Sequence, residues 1–228
     1  MYRHITQNLA AVKGEITAAL AKSGRPADSC SLLVVTKQRS AEEIAALIQT
    51  GHTRLGENRV QELRKKIPLY PDACWDMIGH MQTNKIKYIA GAVSLIHSVD
   101  SLRLLLAIEK ECRKRDVTQD VLLEVNIAQE AAKYGLRKQD VAPLLEEAAA
   151  CTRVRVRGLM TMAPFVADAE TVRPVFRELR ELAHTISSKA PTAWTNTLSM
   201  GMSNDFTVAV EEGATIVRVG TRIFQQKE

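Results

Sequence analysis

The sequence predicts one α/β domain, a single (β/α)8 TIM barrel with an extra N-terminal helix, spanning residues 1–228. Three observations carry that expectation. Short runs of β-branched residues alternate with helical stretches eight times. Such alternation is the pattern of a parallel sheet, and eight strands close a barrel. The length of 228 residues suits a lean barrel with a real core. The turn after the first run, Lys37-Gln38-Arg39-Ser40, lacks the glycines that a doubly wound open sheet, the alternative, would want there.

Taken in order, residues Met1 to Lys22 read as an amphipathic helix without the apolar core of a cleavable leader. The strand-like runs are Leu32–Thr36, Thr53–Gly56, Trp75–Gly79, Ser94–Val99, Val121–Asn126, Val154–Met160, Thr197–Met200 and Ile216–Val219. Helix starts are marked between them. Ser40-Ala41-Glu42-Glu43 is a capping box. Asp140 precedes the apolar face of Val141, Leu144, Leu145 and Ala148, and Ser203-Asn204-Asp205 can cap the penultimate helix. No Pro/Gly/Ser-rich linker or repeat divides the chain.

Composition excludes several classes. Hydrophobic content of 46% and charged content of 25% are those of a soluble globular protein. The net charge of +5 permits attraction to anions, but the basic residues are dispersed. Their densest group, Lys110 to Arg115, sits at a helix C-terminus, where the macrodipole favours it. No nucleic-acid motif accompanies it, and no apolar run reaches membrane-spanning length. Cys30, Cys74, Cys112 and Cys151 lie far apart without metal-ligand spacing. They read as free thiols of a reducing compartment, so a cytoplasmic location is expected.

Barrel active sites lie at the C-terminal ends of the strands. Here those positions hold Lys37, Glu57, Asn58, His80, Gln82, Asp100, Asn126, Met160 to Met162, Met200 to Ser203, and Gly220-Thr221. Lys37 ends the first strand and Gly220-Thr221 follows the last. In a closed barrel these are neighbours, so an amine faces a turn able to hold a phosphate. That pairing suits an aldehyde cofactor with a phosphate tail, pyridoxal 5′-phosphate (PLP). Lys37, flanked by Val34, Val35 and Thr36, is expected to be partly desolvated, which favours an amine able to form a Schiff base. Ser203 and Asn204 offer further phosphate donors or simply a helix cap; Gly220 offers one or simply a turn. Arg218 within the last strand needs a partner and can donate to a pyridine nitrogen. Asn58 can bond the cofactor's edge. Glu57 is either catalytic or a structural partner for Arg59 or another base. Met160, Met162, Met200 and Met202 fill the core or wall the pocket. Lys133 is the alternative amine. Arg153, Arg155 and Arg157 fall on one face of strand six and require partners the sequence does not name.

Val35-Thr36-Lys37, Gly56-Glu57-Asn58, Ile78-Gly79-His80-Met81-Gln82 with Asn84-Lys85, and Gly158 to Pro164 together resemble a known family. So do Leu198 to Asp205 and Val217-Arg218-Val219-Gly220-Thr221. The set is similar to the pyridoxal phosphate homeostasis proteins, the YggS/PROSC family, from about Leu32 to Phe224. The resemblance implies a barrel like the N-terminal domain of alanine racemase, with PLP on Lys37. It places phosphate at Ser203, Gly220 and Thr221 and Arg218 by the ring nitrogen; Asn58 at the cofactor's edge and Met200 in the pocket wall complete the expected cofactor contacts. It implies PLP-binding regulators or carriers that influence vitamin B6 and amino-acid balance. Two stretches depart from the family: Gln38-Arg39-Ser40 replaces a Thr/Lys-Pro-like turn, and the tail Ile223 to Glu228 lacks the usual glycine and basic-aromatic residues.

The resulting expectation is a non-catalytic PLP-binding protein, a monomer, whose partners are PLP and PLP-dependent enzymes or vitamin B6-pathway proteins. A PLP-dependent racemase or lyase using Lys37 as base is the alternative. Racemisation needs an acid or base on each face of the substrate carbon, and Tyr2, Tyr70, Tyr88 and Tyr134 do not visibly follow strand ends. A barrel binding another phosphorylated metabolite without a covalent bond is the third reading.

Overall fold

A computed structural model of the chain describes residues 2–130 and 134–226. In chain order the elements are α1 (Arg3–Lys22), β1 (Ser31–Val35), α2 (Ala41–Ile48), β2 (Arg54–Glu57), α3 (Val60–Lys66), β3 (Cys74–Met77), β4 (Leu95–Val99) and α4 (Leu102–Arg115). Then come β5 (Gln119–Glu124), α5 (Lys138–Ala148), β6 (Val154–Met160), α6 (Arg173–Ile186), β7 (Thr197–Ser199), α7 (Phe206–Glu211), β8 (Ile216–Val219) and α8 (Thr221–Phe224). The strands form a closed parallel barrel in sequence order. Closure is made by β1 on β8, with Leu33 opposite Arg218 and Val34 opposite Val219. The first and last strand-end motifs are therefore neighbours.

All eight predicted runs are strands, with ends shifted by two residues at most. One connection departs from plain alternation: β3 and β4 are joined by a 3-10 segment, Thr83–Tyr88, in place of an α-helix. The Ser40–Glu43 capping box is present, with Glu43 N–H donating to Ser40 Oγ and Ser40 N–H to Glu43 Oε2. Asp140, expected before α5, lies inside its first turn instead. Leu136 N–H donates to Glu124 O and Asn126 N–H to Leu136 O, so the chain is still paired there and the helix begins at Lys138. The Asp140 carboxylate is held by Arg137.

Alternation along each strand sorts the core into two parts. Outward residues such as Val34, Leu55, Trp75, Leu123, Leu159 and Val217 pack with the helices in one large apolar layer. Inward residues Leu33, Leu95, Leu122, Met160 and Ile216 form a separate lumen cluster, joined by Ile78 and Met162. Helix α1 buries Ile5, Leu9, Val12, Ile16 and Leu20, a stripe at helical spacing, and packs on α7 and α8. Asn8 secures it to the chain end by donating to Ile223 O and Gln225 O.

The scattered charge is largely paired. Arg113 and Arg115 bond Glu109 and Glu111 one turn earlier on α4. Arg153 meets Asp116, and both Arg155 and Arg157 meet Asp120. The four cysteines are free. Among the described residues no helix is long and apolar enough to cross a membrane, and no group of three metal-ligating side chains occurs.

Candidate functional site

The C-terminal mouth of the barrel opens into a cavity of about 550 Å³. Lys37, Asn58, Ser203, Arg218, Gly220 and Thr221 all line it. Its apolar wall is Val35, Ile78, Met162, Pro164, Val166 and Met202, with the highly exposed Phe165 at the rim. Met200, expected among these residues, does not line it. Inward Ser199 is followed by outward Met200, which is fully buried in the helix-facing layer. Met202 occupies the cavity wall instead.

The turn that carries Lys37 is closed by Arg39 N–H donating to Thr36 O. It forces Gln38 to φ +59°, a left-handed conformation that a non-glycine residue adopts at a cost of about 1–2 kcal/mol. The Arg39 guanidinium lies over the Phe224 ring, 4.9 Å from its centre, tying this turn to α8. Lys37 itself is exposed, contrary to the desolvation expected of it. It makes no hydrogen bond or ion pair with the described residues, so its amine is uncommitted.

Behind Lys37 and Asn58 lies a buried clamp that settles the role of Glu57. Its partner is Lys66, at 2.6 Å, rather than Arg59; the two side chains are only 1% and 8% exposed. Lys66 Nζ also donates to Thr36 O at 2.9 Å, and Glu57 Oε1 accepts from Asn58 N–H at 2.7 Å. One ion pair thus fixes the backbone on each side: Thr36 just before Lys37, and Asn58 itself. Gly79 packs under the same loop, where a Cβ would sit 2.1 Å from Asn58 O. Only glycine fits there.

Ser203, Asn204 and Asp205 lead into α7. Asp205, at the N-cap position, accepts from Met202 N–H and so folds the loop that presents Ser203 to the cavity. Burial pushes the Asp205 carboxyl above its ordinary range, against hydrogen bonding and the Arg218 charge. Across the cavity, Gly220 is the N-cap of α8, whose first N–H groups have no acceptor within the helix. A Cβ on Gly220 would meet Val35 O at 3.0 Å, so a side chain there would press on the backbone of the closing strand.

Arg218 finds the partners its position demanded. It is 4% exposed, and its guanidinium donates to Ser199 Oγ at 2.6 Å and to Thr161 O at 2.9 Å. Burial pushes its pKa down to about 10, with Glu124 and Asp205 opposing, so at neutral pH it stays charged.

Two residues at this end of the barrel, Glu124 and Tyr134, are not among the strand-end positions expected from the sequence. Glu124 ends β5 on the inward side, 3% exposed; burial and the Asp100 charge raise its pKa to about 7, with Arg218 opposing. Tyr134 does reach the mouth, stacked on His80 with ring centres 3.7 Å apart, and His80 Nδ1 lies 3.2 Å from Asp100. Period-two counting places Glu124 inward beyond Leu122; Tyr134 carries no such signal. Lys133 lies outside the described residues.

The family model described as alanine racemase, N-terminal domain, matches residues 7–227. A pyridoxal phosphate homeostasis protein of Aquifex aeolicus (strain VF5) is 42% identical over 224 residues, covering 97% of this chain and 98% of that one. This chain belongs to the pyridoxal phosphate homeostasis protein family. A protein of similar fold, PipY of Synechococcus elongatus PCC7942, has been solved with PLP bound. It is 32% identical with a TM-score of 0.79, covering 92% of this chain and 100% of that one. Alanine racemase of Clostridium difficile 630 shares the fold at TM-score 0.77 but only 12% identity, over 99% of this chain and 60% of that one. As a member of the pyridoxal phosphate homeostasis family, the chain brings together at its barrel mouth, among the described residues, the Lys37 amine, the buried Arg218 guanidinium and the hydroxyl-bearing turns of Ser203 and Thr221.

Proposed function

We propose that this protein binds PLP, holds it as a Schiff base on Lys37, and acts in intracellular PLP homeostasis, and through it in amino-acid balance, without strong catalysis of its own. The observation that carries the reading is the meeting of the uncommitted Lys37 amine with Arg218, Ser203, Gly220 and Thr221 on one cavity. The donors fit the cofactor group by group. An aldehyde requires a primary amine, a phosphate requires hydroxyls and free helix N–H groups, and an unprotonated ring nitrogen requires a donor that keeps its proton. Held on Lys37, the group would supply an aldehyde carbonyl as its chemistry.

The chain's own residues then orient and enclose. Thr36 and the Glu57–Lys66 pair fix the base of Lys37, Asn58 reaches the ring's edge, and Ile78, Met162 and Met202 keep water from its face. Arg218 holds its charge beside the ring nitrogen and makes the ring a weaker electron sink, which favours carriage over carbanion chemistry. The PLP-bound PipY adds support from a relative.

Calorimetric titration with PLP tests the binding, and incubation with amino acids in deuterium oxide tests the absence of catalysis. Tight binding that collapses in Lys37→Ala, with no α-deuterium incorporation at useful rates, is the expected result. Rapid exchange or racemisation would establish the enzyme reading instead, and binding indifferent to Lys37→Ala would favour non-covalent capture of a phosphorylated metabolite.

A further inference from the structure

A barrel lumen is ordinarily filled by layers of branched apolar side chains. Here a buried polar chain crosses it. Arg54 on β2 donates through Nε and Nη2 to Asp76 Oδ2 on β3, at 3.2 and 3.0 Å. The same oxygen lies 3.2 Å from His97 Nε2 on β4. His97 Nδ1 lies 2.9 Å from Ser199 Oγ on β7, and Ser199 Oγ is 2.6 Å from Arg218 Nη1 on β8. Asp76, His97 and Ser199 have no solvent exposure at all.

The chemistry of these groups leaves one arrangement of hydrogens. A guanidinium only donates, so Ser199 Oγ accepts from Arg218 and its single proton is free for His97. His97 Nδ1 is then the acceptor, its proton sits on Nε2, and Nε2–H donates to Asp76. The opposite tautomer would strand the serine proton and aim a lone pair at a carboxylate. A doubly protonated ring is opposed by burial and by the Arg54 and Arg218 charges, which together lower the His97 pKa against the pull of Asp76. Asp205 and Glu124 are the remaining charged groups that act on Arg218.

We propose that Asp76, His97 and Ser199 are positioning residues that set the plane of Arg218 from beneath and thereby the contact it makes with the cofactor's ring nitrogen. The inference rests on the reading that Arg218 faces PLP. Arg218 spends two of its five N–H donors on Ser199 and Thr161, and both bonds run back into the barrel, so the rest of the fork is aimed by them. Stability alone does not explain the arrangement, because apolar side chains of similar volume commonly hold a core as well as a buried ionic chain does.

Two measurements test this. In the ligand-free wild type, ¹⁵N spectra of the histidine ring should show His97 unprotonated at Nδ1 and protonated at Nε2 from pH 6 to 8; the other tautomer overturns the relay. In Ser199→Ala and Asp76→Asn, PLP affinity should fall about tenfold or more, the loss seen when the groups that orient metal ligands are removed. The absorbance band of the bound cofactor should also move, while Ser199→Thr, which keeps the hydroxyl, restores both. Wild-type affinity and spectrum in Ser199→Ala, with only the melting temperature lowered, would make the network merely structural. A wild type that gives no imine band with PLP would instead overturn the cofactor reading and the role assigned to Arg218 with it; the histidine spectra separate the two failures.

Discussion

Replacing Lys66 by methionine removes one charge of a buried pair and leaves the other. Lys66 and Glu57 are both almost wholly enclosed, and their contact is 2.6 Å. In Lys66→Met the Glu57 carboxylate keeps only the Asn58 N–H and a long bond from Thr36 Oγ1, at 3.4 Å. Thr36 O loses the Lys66 donor as well. Breaking a buried pair in this way costs about 3–5 kcal/mol, a large share of the 5–15 kcal/mol typical of a whole domain. Exposed pairs contribute less than about 1 kcal/mol, so the two cases are easily told apart. Urea denaturation of the wild type, Lys66→Met, Glu57→Gln and the double variant gives the cycle. The double variant should be clearly more stable than the sum of its parts, because no unpaired charge remains buried. PLP affinity should fall in Lys66→Met, since Thr36 O loses its Lys66 donor and Glu57, which holds Asn58 N–H, loses its ion-pair partner. A loss below about 1 kcal/mol with unchanged affinity would refute the clamp.

Three further outcomes are expected. Gly79→Ala pushes Asn58 O from the 2.1 Å position of the new Cβ; it should weaken PLP binding and lower stability by about 1–3 kcal/mol, measured by calorimetry and denaturation. Glu124 has its pKa raised from 4.5 to about 7 by burial and by Asp100. The folded protein therefore holds a proton that the unfolded chain has released between those values, and stability falls as pH rises through that window, by at most about 3 kcal/mol. Glu124→Gln should melt higher than wild type at pH 8 and lose that advantage near pH 4.5. Glu109 behaves oppositely: burial raises its pKa, but donation from the Thr152, Arg153 and Val154 N–H groups and from Arg113 outweighs this and holds it at about 2. Its contribution is complete above pH 4.5 and lost as pH falls toward 2, so Glu109→Gln should cost about 2 kcal/mol at pH 7 and progressively less in acid.

Much of this architecture was legible in the chain because its signals are local and periodic. β-branched runs such as Leu32–Thr36 and Val154–Met160 bury one or both faces and announce strands, and barrel closure then makes Lys37 and Gly220 neighbours without any sequence proximity. The same period of two also separates Ser199 from Met200, which is why Met200 faces the helices. What the sequence did not disclose depends on three-dimensional packing. Glu57 could choose among several bases, and Lys66 wins because α3 returns it to the back of β2. The Asp76–His97–Ser199–Arg218 chain joins four strands spread over 143 positions, from 76 to 218, and no spacing along the sequence betrays it. The exposure of Lys37 follows from a turn whose left-handed Gln38 no local motif predicts.

The most direct test of the central claim is to load the protein with PLP, record its absorbance, reduce it with borohydride and map the modified peptide. An imine band that disappears on reduction, with the cofactor fixed to Lys37 and absent from Lys37→Ala, is the expected result. No band, or an equal band in Lys37→Ala with the label on another lysine, would contradict it.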